Sequence, residues 1–175
     1  NSVARVLDHI EWASGAGVEV AVIAQPYFFM NDTPQRILDF YHETIEQSPL
    51  PIGFYDRGQH SNVYVPNEIL PDIYAEPNLV LVKDSSRDPE RREIALQAKE
   101  DRPELMLLNG DEFVCDEYIE AGYDGLLLGG GIFNGHIARK IIAAVHNDDT
   151  ERANALQERM NRIMWDIYGG REAEC

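Results

Sequence analysis

A regular alternation of short apolar runs with amphipathic segments is the feature that most limits the folds open to this sequence. Each apolar run is bounded by turn residues and is followed, after a short connection, by a helical pattern. Such alternation is typical of parallel strands joined by right-handed helical crossovers in one α/β domain. We predict five strands, at residues 18–24, 52–55, 79–83, 105–108 and 126–128.

Several helix boundaries carry recognisable end signals. Thr33 precedes Pro34, and Asp88 precedes Pro89, so each pair predicts an N-cap followed by proline in the first helical turn. Gly122 predicts the end of the helix that begins near Glu112. The last two predicted helices cover residues 134–146 and 150–168.

Composition excludes some classes of protein. The formal net charge of −16 argues against binding to nucleic acid, which requires a basic face. No apolar stretch approaches the roughly 18 residues that a membrane-spanning helix needs, so we expect no membrane partner. Cys115 and Cys175 provide no disulfide framework, which favours a reducing, cytoplasmic compartment. The five histidines lack metal-ligand spacing, and we expect neither a metal nor a cofactor.

Lys83 stands in an unusual place for a charged residue. It ends the apolar run Leu79–Val82, which predicts a strand buried on both faces. A buried ammonium must pair with a carboxylate or lose its proton, and a neutral lysine is an amine nucleophile. Alternatively, Lys83 leaves the sheet and extends its amine into water.

Two architectures fit the alternating pattern, an open doubly wound sheet and a (β/α)8 barrel. The glycine-rich dinucleotide fingerprint does not follow the first strand. Polar residues instead follow the carboxyl ends of several strands, namely Tyr27, Tyr55, Lys83 and Asp111. Barrel enzymes build their sites on that rim, so we favour the (β/α)8 TIM barrel. Three strands would then precede Asn1, and we expect the sequence to be part of a longer protein.

Tyr55 and Lys83 form the most suggestive chemical pair. They end consecutive strands, and neighbouring strands lie about 4.8 Å apart. An amine can attack a ketone to form an imine, while a phenol transfers protons to and from the carbinolamine. The alternative for Tyr55 is a core aromatic residue with its hydroxyl in water.

Four motifs give the sequence a family resemblance. Pro26-Tyr27-Phe28, Phe54-Tyr55-Asp56, Val82-Lys83-Asp84-Ser85-Ser86 and Asn109-Gly110-Asp111 occur in one order and spacing. They resemble the class I aldolase superfamily of dihydrodipicolinate synthase and N-acetylneuraminate lyase. The resemblance extends over essentially the whole chain.

The resemblance implies a (β/α)8 barrel, commonly a homotetramer, that forms an imine with pyruvate or another 2-keto acid. It implies that residues 1–149 hold strands 4 to 8 of the barrel and that residues 150–175 begin a C-terminal helical segment. Lys83 would form the imine and Tyr55 would transfer protons. Gly110 and Leu127 would line the keto-acid pocket. The implied partners are a small 2-keto acid, an aldehyde and other copies of the chain.

Two departures from the family pattern bear on the second substrate. Phe28 stands where dihydrodipicolinate synthases have a second, proton-relaying tyrosine. Gln59 or His60 falls near the place of their substrate-binding arginine, although Arg57 lies close by. We therefore predict an aldolase or dehydratase for a 2-keto-3-deoxy sugar acid, with Tyr27 and Gln59 as further substrate-binding residues. The alternatives are the 4-hydroxy-tetrahydrodipicolinate synthase of lysine biosynthesis, a non-catalytic keto-acid-binding paralogue, and a metal-dependent barrel enzyme.

Three further patterns have mainly structural interpretations. Gly129–Gly131 either leaves room for substrate near a helix N-terminus or makes a tight turn. An acidic cluster is interpreted as a solvated helix start rather than a metal site; it comprises Asp111, Glu112, Asp116 and Glu117. An apolar stripe on the last helix predicts a packing face; it comprises Leu156, Met160, Ile163, Met164 and Ile167.

Overall fold

The computed structural model describes residues 2–27 and 33–169. The chain forms two compact units, which meet in the sequence between Leu107 and Leu108. Both units alternate strands with helices, as the sequence predicts.

The first unit contains four helices and three complete strands. In chain order they are α1 (Val3–Gly15), β1 (Ala21–Ala24), α2 (Pro34–Gln47), β2 (Ile52–Asp56), α3 (Leu70–Tyr74), β3 (Leu79–Asp84) and α4 (Pro89–Asp101). Short 3-10 turns at Gly58–His60 and Asn67–Ile69 lie between β2 and α3. The predicted caps are confirmed, because the side chain of Thr33 accepts from the Arg36 N–H and that of Asp88 from the Glu90 N–H.

The strands of this unit pair in parallel, which confirms the predicted type of sheet. Ala24 of β1 is the register partner of Tyr55 in β2. Tyr55 in turn pairs with Lys83 of β3, and the next pair along is Asp56 with Asp84. The carboxyl ends of β2 and β3 therefore lie side by side.

One face of this sheet carries the core of the unit. Phe54 is fully buried, and its ring makes edge contacts with Tyr41 of α2 at 5.1 Å and Tyr74 of α3 at 5.8 Å between centroids. Burial is the main reason that the pKa values of both tyrosines lie above their ordinary range. The helices thus cover the face of β2 that Phe54 occupies.

The opposite face is only partly covered. Leu81 and Lys83 of β3 are half-buried, and Val22 of β1 is 44% exposed. The prediction that the Lys83 strand is buried on both faces is therefore wrong for the described residues of this unit. The aromatic residues of α2 and α3 pack on the Phe54 face, and this leaves the lysine amine at a semi-exposed position rather than in a closed core.

The second unit begins at Leu108, inside the fourth strand, and contains three helices and a second parallel pair of strands. β4 (Met106–Asn109) is followed by α5 (Cys115–Ala121), β5 (Gly125–Leu126), α6 (Gly131–Val145) and α7 (Thr150–Tyr168). Leu108 and Asn109 of β4 pair with Gly125 and Leu126 of β5. Gly122 ends α5 with a φ of +111°, which glycine adopts more readily than other residues. No helix of the described residues is long and apolar enough to cross a membrane.

The packing of α7 against α6 forms the core of the second unit. Met160 and Met164 of α7 are fully buried with Ile137 and Ile141 of α6 and with Cys115. Leu156 and Ile163 pack partly buried against the same cluster. The packing-face interpretation of the α7 stripe is confirmed for these four α7 residues, whereas Ile167 is 54% exposed.

The turn before α6 is shorter than predicted, because the helix begins at Gly131 rather than Asn134. A methyl group on Gly130 would lie 3.0 Å from Asn134 Nδ2, from Met164 Sδ and from Phe133 Cζ. The glycine run is therefore a tight turn in close contact with α7, which favours the second of its two sequence interpretations.

We expect Gly130→Ala to lower the free energy of unfolding by about 1–3 kcal/mol, because the added methyl overpacks a closed site. Gly135→Ala is the matched control, since a methyl there meets nothing within 4 Å. That variant should raise stability by about 0.5–1 kcal/mol, because alanine is the better helix former. Denaturant unfolding of both variants in the full-length protein measures the difference, and equal effects would contradict the packing argument.

Candidate active site

The structure brings together the two predicted catalytic residues, Tyr55 and Lys83. They are register partners at the carboxyl ends of β2 and β3. Lys83 Nζ lies 4.0 Å from the centroid of the Tyr55 ring. The electron-rich ring face attracts a protonated amine at this distance. An amine and a phenol therefore share one semi-exposed position on the open face of the sheet.

The next residues on the two strands, Asp56 and Asp84, point to the buried side. Asp56 is 1% exposed and Asp84 is 2% exposed. Asp84 Oδ1 accepts the Ser86 N–H at 2.8 Å, and the Ser85 N–H donates to the Asp56 carbonyl at 2.8 Å. The Asp84 carboxylate therefore helps to fix the loop after Lys83.

A buried ion pair joins Asp56 to Arg91 of α4. Arg91 Nε donates to Asp56 Oδ2 at 2.8 Å, and Arg91 Nη2 donates to Asp56 Oδ1 at 2.9 Å. Burial alone would lower the pKa of Arg91, but the hydrogen bonds and charge of Asp56 outweigh it, and the pKa lies above its ordinary value. This two-pronged geometry is the strong form of an arginine–carboxylate contact.

Gln25, at the end of β1, ties that strand to the loop after β2. With the amide oriented as its neighbours require, its nitrogen donates to the Tyr55 carbonyl at 3.1 Å and to Ser61 Oγ at 2.7 Å. Its oxygen accepts the Arg57 N–H at 3.1 Å. Gln25 is only 5% exposed, so these contacts replace bonds to water.

The predicted second-substrate residues lie at exposed positions of the same unit. Gln59 and His60 form the exposed part of the 3-10 turn Gly58–His60, and Tyr27 is 55% exposed. Arg57 is half-buried just before that turn. The prediction made for Phe28 lies outside the described residues.

Gly110 and Leu127, the predicted keto-acid pocket residues, belong to the second unit. Both directly follow a paired strand, Gly110 after β4 and Leu127 close behind β5. The Asn109 side chain fixes the turn at Gly110 by accepting the Asp111 N–H and donating to the Asp111 carbonyl, both at 2.8 Å. The Leu127 N–H donates to the Asn109 carbonyl at 2.8 Å, so the two turns lie close together.

The acidic cluster is not a solvated helix start, and that interpretation is wrong for three of its four residues. Asp111, Glu112 and Asp116 are at most 8% exposed, while Glu117 is exposed. Glu112 Oε1 accepts the Gly130 N–H at 2.6 Å, and Asp111 Oδ1 accepts the Phe113 N–H at 3.0 Å. Burial raises the pKa of Asp116. The carboxylates of Asp111 and Glu112 are internal acceptors for backbone N–H groups that would otherwise lack a partner.

Metal ligands do not gather in the described ranges 2–27 and 33–169, where no group of three histidine, cysteine or acidic side chains is placed to hold an ion.

Sequence reasoning missed Asp56, Arg91 and Gln25. One signal was present, because Asp56 lies two residues after Phe54 and therefore on the same face of β2. A carboxylate on the core face requires a partner, and the sequence offers two arginines on the charged helix α4, Arg91 and Arg92, without indicating which one turns inward.

Comparison with known proteins supports the fold and the family. The sequence matches the dihydrodipicolinate synthetase family over residues 1–170. It is 23% identical over 151 residues to the 4-hydroxy-tetrahydrodipicolinate synthase of Stenotrophomonas maltophilia, covering 85% of this chain and 50% of that protein. The chain thus spans about half the length of the curated relatives it matches.

Solved structures of the family have the same arrangement of strands and helices. The dihydrodipicolinate synthase of Bacteroides thetaiotaomicron superposes with a TM-score of 0.85 at 26% identity, over 98% of this chain and 57% of that one. The enzyme of Thermotoga maritima gives a TM-score of 0.86 at 18% identity, over 98% and 59% of the two chains. The chain belongs to the dihydrodipicolinate synthetase family, and its strands and helices are part of a (β/α)8 barrel.

Proposed function

We propose that the protein containing this chain is a lyase that forms an imine between Lys83 and a 2-keto acid such as pyruvate. The observation that carries the proposal is the register pairing of Tyr55 with Lys83, which puts the amine 4.0 Å from the ring centroid. Family membership supports a pyruvate-dependent, class I aldolase type of chemistry.

Lys83 supplies the nucleophile. Its neutral amine adds to the keto carbon to give a carbinolamine, and loss of water then leaves a protonated imine. The imine withdraws electrons from the adjacent carbon, so a carbon–carbon or carbon–oxygen bond one position further along can break or form.

Tyr55 supplies the proton transfers. Its hydroxyl donates a proton to the carbinolamine oxygen as water leaves, and it returns protons to the departing group. The ring lies directly beside the amine, with Lys83 Nζ 4.0 Å from its centroid, so the phenol and the nucleophile act on the same substrate carbon.

The remaining predicted residues would bind the two halves of the substrate. We assign Gly110 and Leu127 to the keto-acid half on the strength of the family resemblance. We assign Tyr27 and Gln59 to the second half, because both are exposed in the same unit as Tyr55. The polar loop 57–62 lacks an arginine at position 59 and fits the hydroxyl groups of a 2-keto-3-deoxy sugar acid.

A second candidate function is the 4-hydroxy-tetrahydrodipicolinate synthase reaction of lysine biosynthesis. It is favoured by the names of the curated relatives, all of which are described as that synthase. The half-buried Arg57 would then have to bind the carboxylate of the second substrate.

We expect pyruvate to form an imine with Lys83 in the full-length protein, and borohydride to reduce that imine to a stable secondary amine. Peptide mass spectrometry should find the added mass on the peptide that contains Lys83, and Lys83→Arg should abolish it. Lys140→Arg is the matched control on the exposed face of α6 and should label normally. Absence of the adduct from the wild-type protein would refute the imine mechanism.

We expect Tyr55→Phe to lower kcat by about 10²–10⁴-fold, the usual contribution of a positioned acid–base group. The ring face remains, so borohydride trapping on Lys83 should be slower but should reach completion. Tyr168→Phe, an exposed tyrosine at the end of α7, serves as the control and should retain full activity. An unchanged kcat in Tyr55→Phe would remove Tyr55 from the mechanism.

We expect kcat/KM for a 2-keto-3-deoxy sugar acid to exceed that for condensation of pyruvate with aspartate semialdehyde by at least about tenfold, since one unmatched polar contact is worth that much. Parallel assays of the same preparation measure the ratio. The reverse preference would favour the lysine-biosynthetic alternative.

A further inference from the structure

Arg91 contacts both ends of the loop 57–64, which joins β2 to the residues before α3. At the first end it makes the two bonds to the Asp56 carboxylate. At the second end its Nη1 donates to the Val65 carbonyl at 2.8 Å and to Asn67 Oδ1 at 2.6 Å. The guanidinium carbon lies 5.2 Å from the centroid of the Tyr64 ring. A single side chain therefore closes the loop at its base.

The burial of this side chain makes the closure strong. The Arg91 side chain is 0% exposed in its ion pair, and the Asp56 side chain is 1% exposed. Away from water, each of these charge-assisted bonds is worth more than it would be on the surface. A planar guanidinium can donate to a carboxylate and to a carbonyl at the same time. A lysine ammonium on a flexible side chain does not hold these hydrogen bonds in one fixed geometry.

The middle of the loop contains both anchored and exposed residues, and Val63 there is only 2% exposed. Gly58 packs on the loop after β3, where a methyl group would lie 2.9 Å from Ser86 Cβ. The Gln25 amide holds Arg57 and Ser61. Gln59, His60 and Asn62 are exposed, so their side chains are available to a ligand while the base of the loop is fixed.

We propose that Arg91 is a positioning residue for substrate selection: it holds the loop 57–64 in the shape that presents Gln59, His60 and Asn62 to the second half of the substrate. The choice of substrate in this inference rests on the proposed function. The role of Arg91 in holding the loop rests on the geometry of the first unit alone. Arg91 acts through the loop and does not touch the imine pair, so its loss affects the second half of the substrate more than the 2-keto acid.

The test is Arg91→Lys in the full-length protein, with two readouts. The first is native-state trypsin cleavage after Arg57, which lies within the loop and reports its local opening. Lysine retains the charge and the tryptic site at position 91, so the substitution removes only the forked hydrogen-bonding geometry of the guanidinium. We expect cleavage after Arg57 at least about tenfold faster than in the wild type.

The second readout separates the two halves of the reaction. We expect the KM for a 2-keto-3-deoxy sugar acid to rise at least about tenfold. The pyruvate concentration that gives half-maximal borohydride trapping should change by less than about twofold. Asn67→Ala provides a milder variant, because it removes one acceptor at the second end of the loop and leaves the Asp56 pair intact. It should change both readouts in the same direction.

Arg102→Lys is the matched control. Arg102 is likewise a largely buried arginine of the first unit, and its guanidinium donates to the carbonyls of Tyr74, Glu76 and Leu79 rather than to the loop. It should lower thermal stability without faster cleavage after Arg57.

Two results would overturn the proposal. The first is equal cleavage after Arg57 in the Arg91 and Arg102 variants at equal loss of thermal stability. The second is a loosened loop with an unchanged KM in a protein that traps pyruvate and turns over substrate. If the wild type traps no pyruvate, the proposed function fails together with the role in substrate selection, and the cleavage rates still decide whether Arg91 holds the loop.

Discussion

The register between β2 and β3 is the constraint on which the rest of the site depends. Pairing Tyr55 with Lys83 puts both side chains on the open face of the sheet, and pairing Asp56 with Asp84 puts both acids on the buried side. Because side chains alternate along a strand, a slip of one residue would exchange the two sets. The helix-covered Phe54 makes that slip costly. Gly53 adds to the specificity, since a methyl group there would lie 2.6 Å from Leu81 Cδ1.

Adjacent residues on these strands therefore have different roles: Tyr55 and Lys83 lie on the open face, whereas Asp56 and Asp84 lie on the buried face. The carboxylate of Asp56 is taken out of water, which is costly unless charge and hydrogen bonds compensate it. Arg91 and the Gly58 N–H supply that compensation, the latter at 2.8 Å. Removing one partner of such a buried pair typically costs about 3–5 kcal/mol, because the other charge is left unpaired. The loops after β2 and β3 thus have defined shapes although they carry little regular structure.

The parts of this arrangement that follow from local sequence were predictable. The strand at the apolar run before Lys83, the caps at Thr33 and Asp88, and the helix end at the glycine after α5 each depend on a few residues, and these predictions are confirmed. The parts that depend on distant partners were not. Arg91 lies 35 residues from Asp56, and the Glu112 carboxylate meets Gly130 18 residues away. A run of charges in the sequence does not show which member turns inward, because burial is decided by the packed structure.

The contacts that hold the Tyr55–Lys83 pair are separate from those that hold the loop 57–64. The Tyr55–Lys83 pair is held by the sheet, through the register of two strands and the burial of Phe54. The loop 57–64 is held by Arg91 and Gln25, which bind backbone and buried acceptors and leave the middle of the loop exposed. Exposed residues of that loop can therefore change without disturbing the strands beneath them. The strands and the loop are thus held by different side chains, and the proposed role of Arg91 in substrate selection requires that separation.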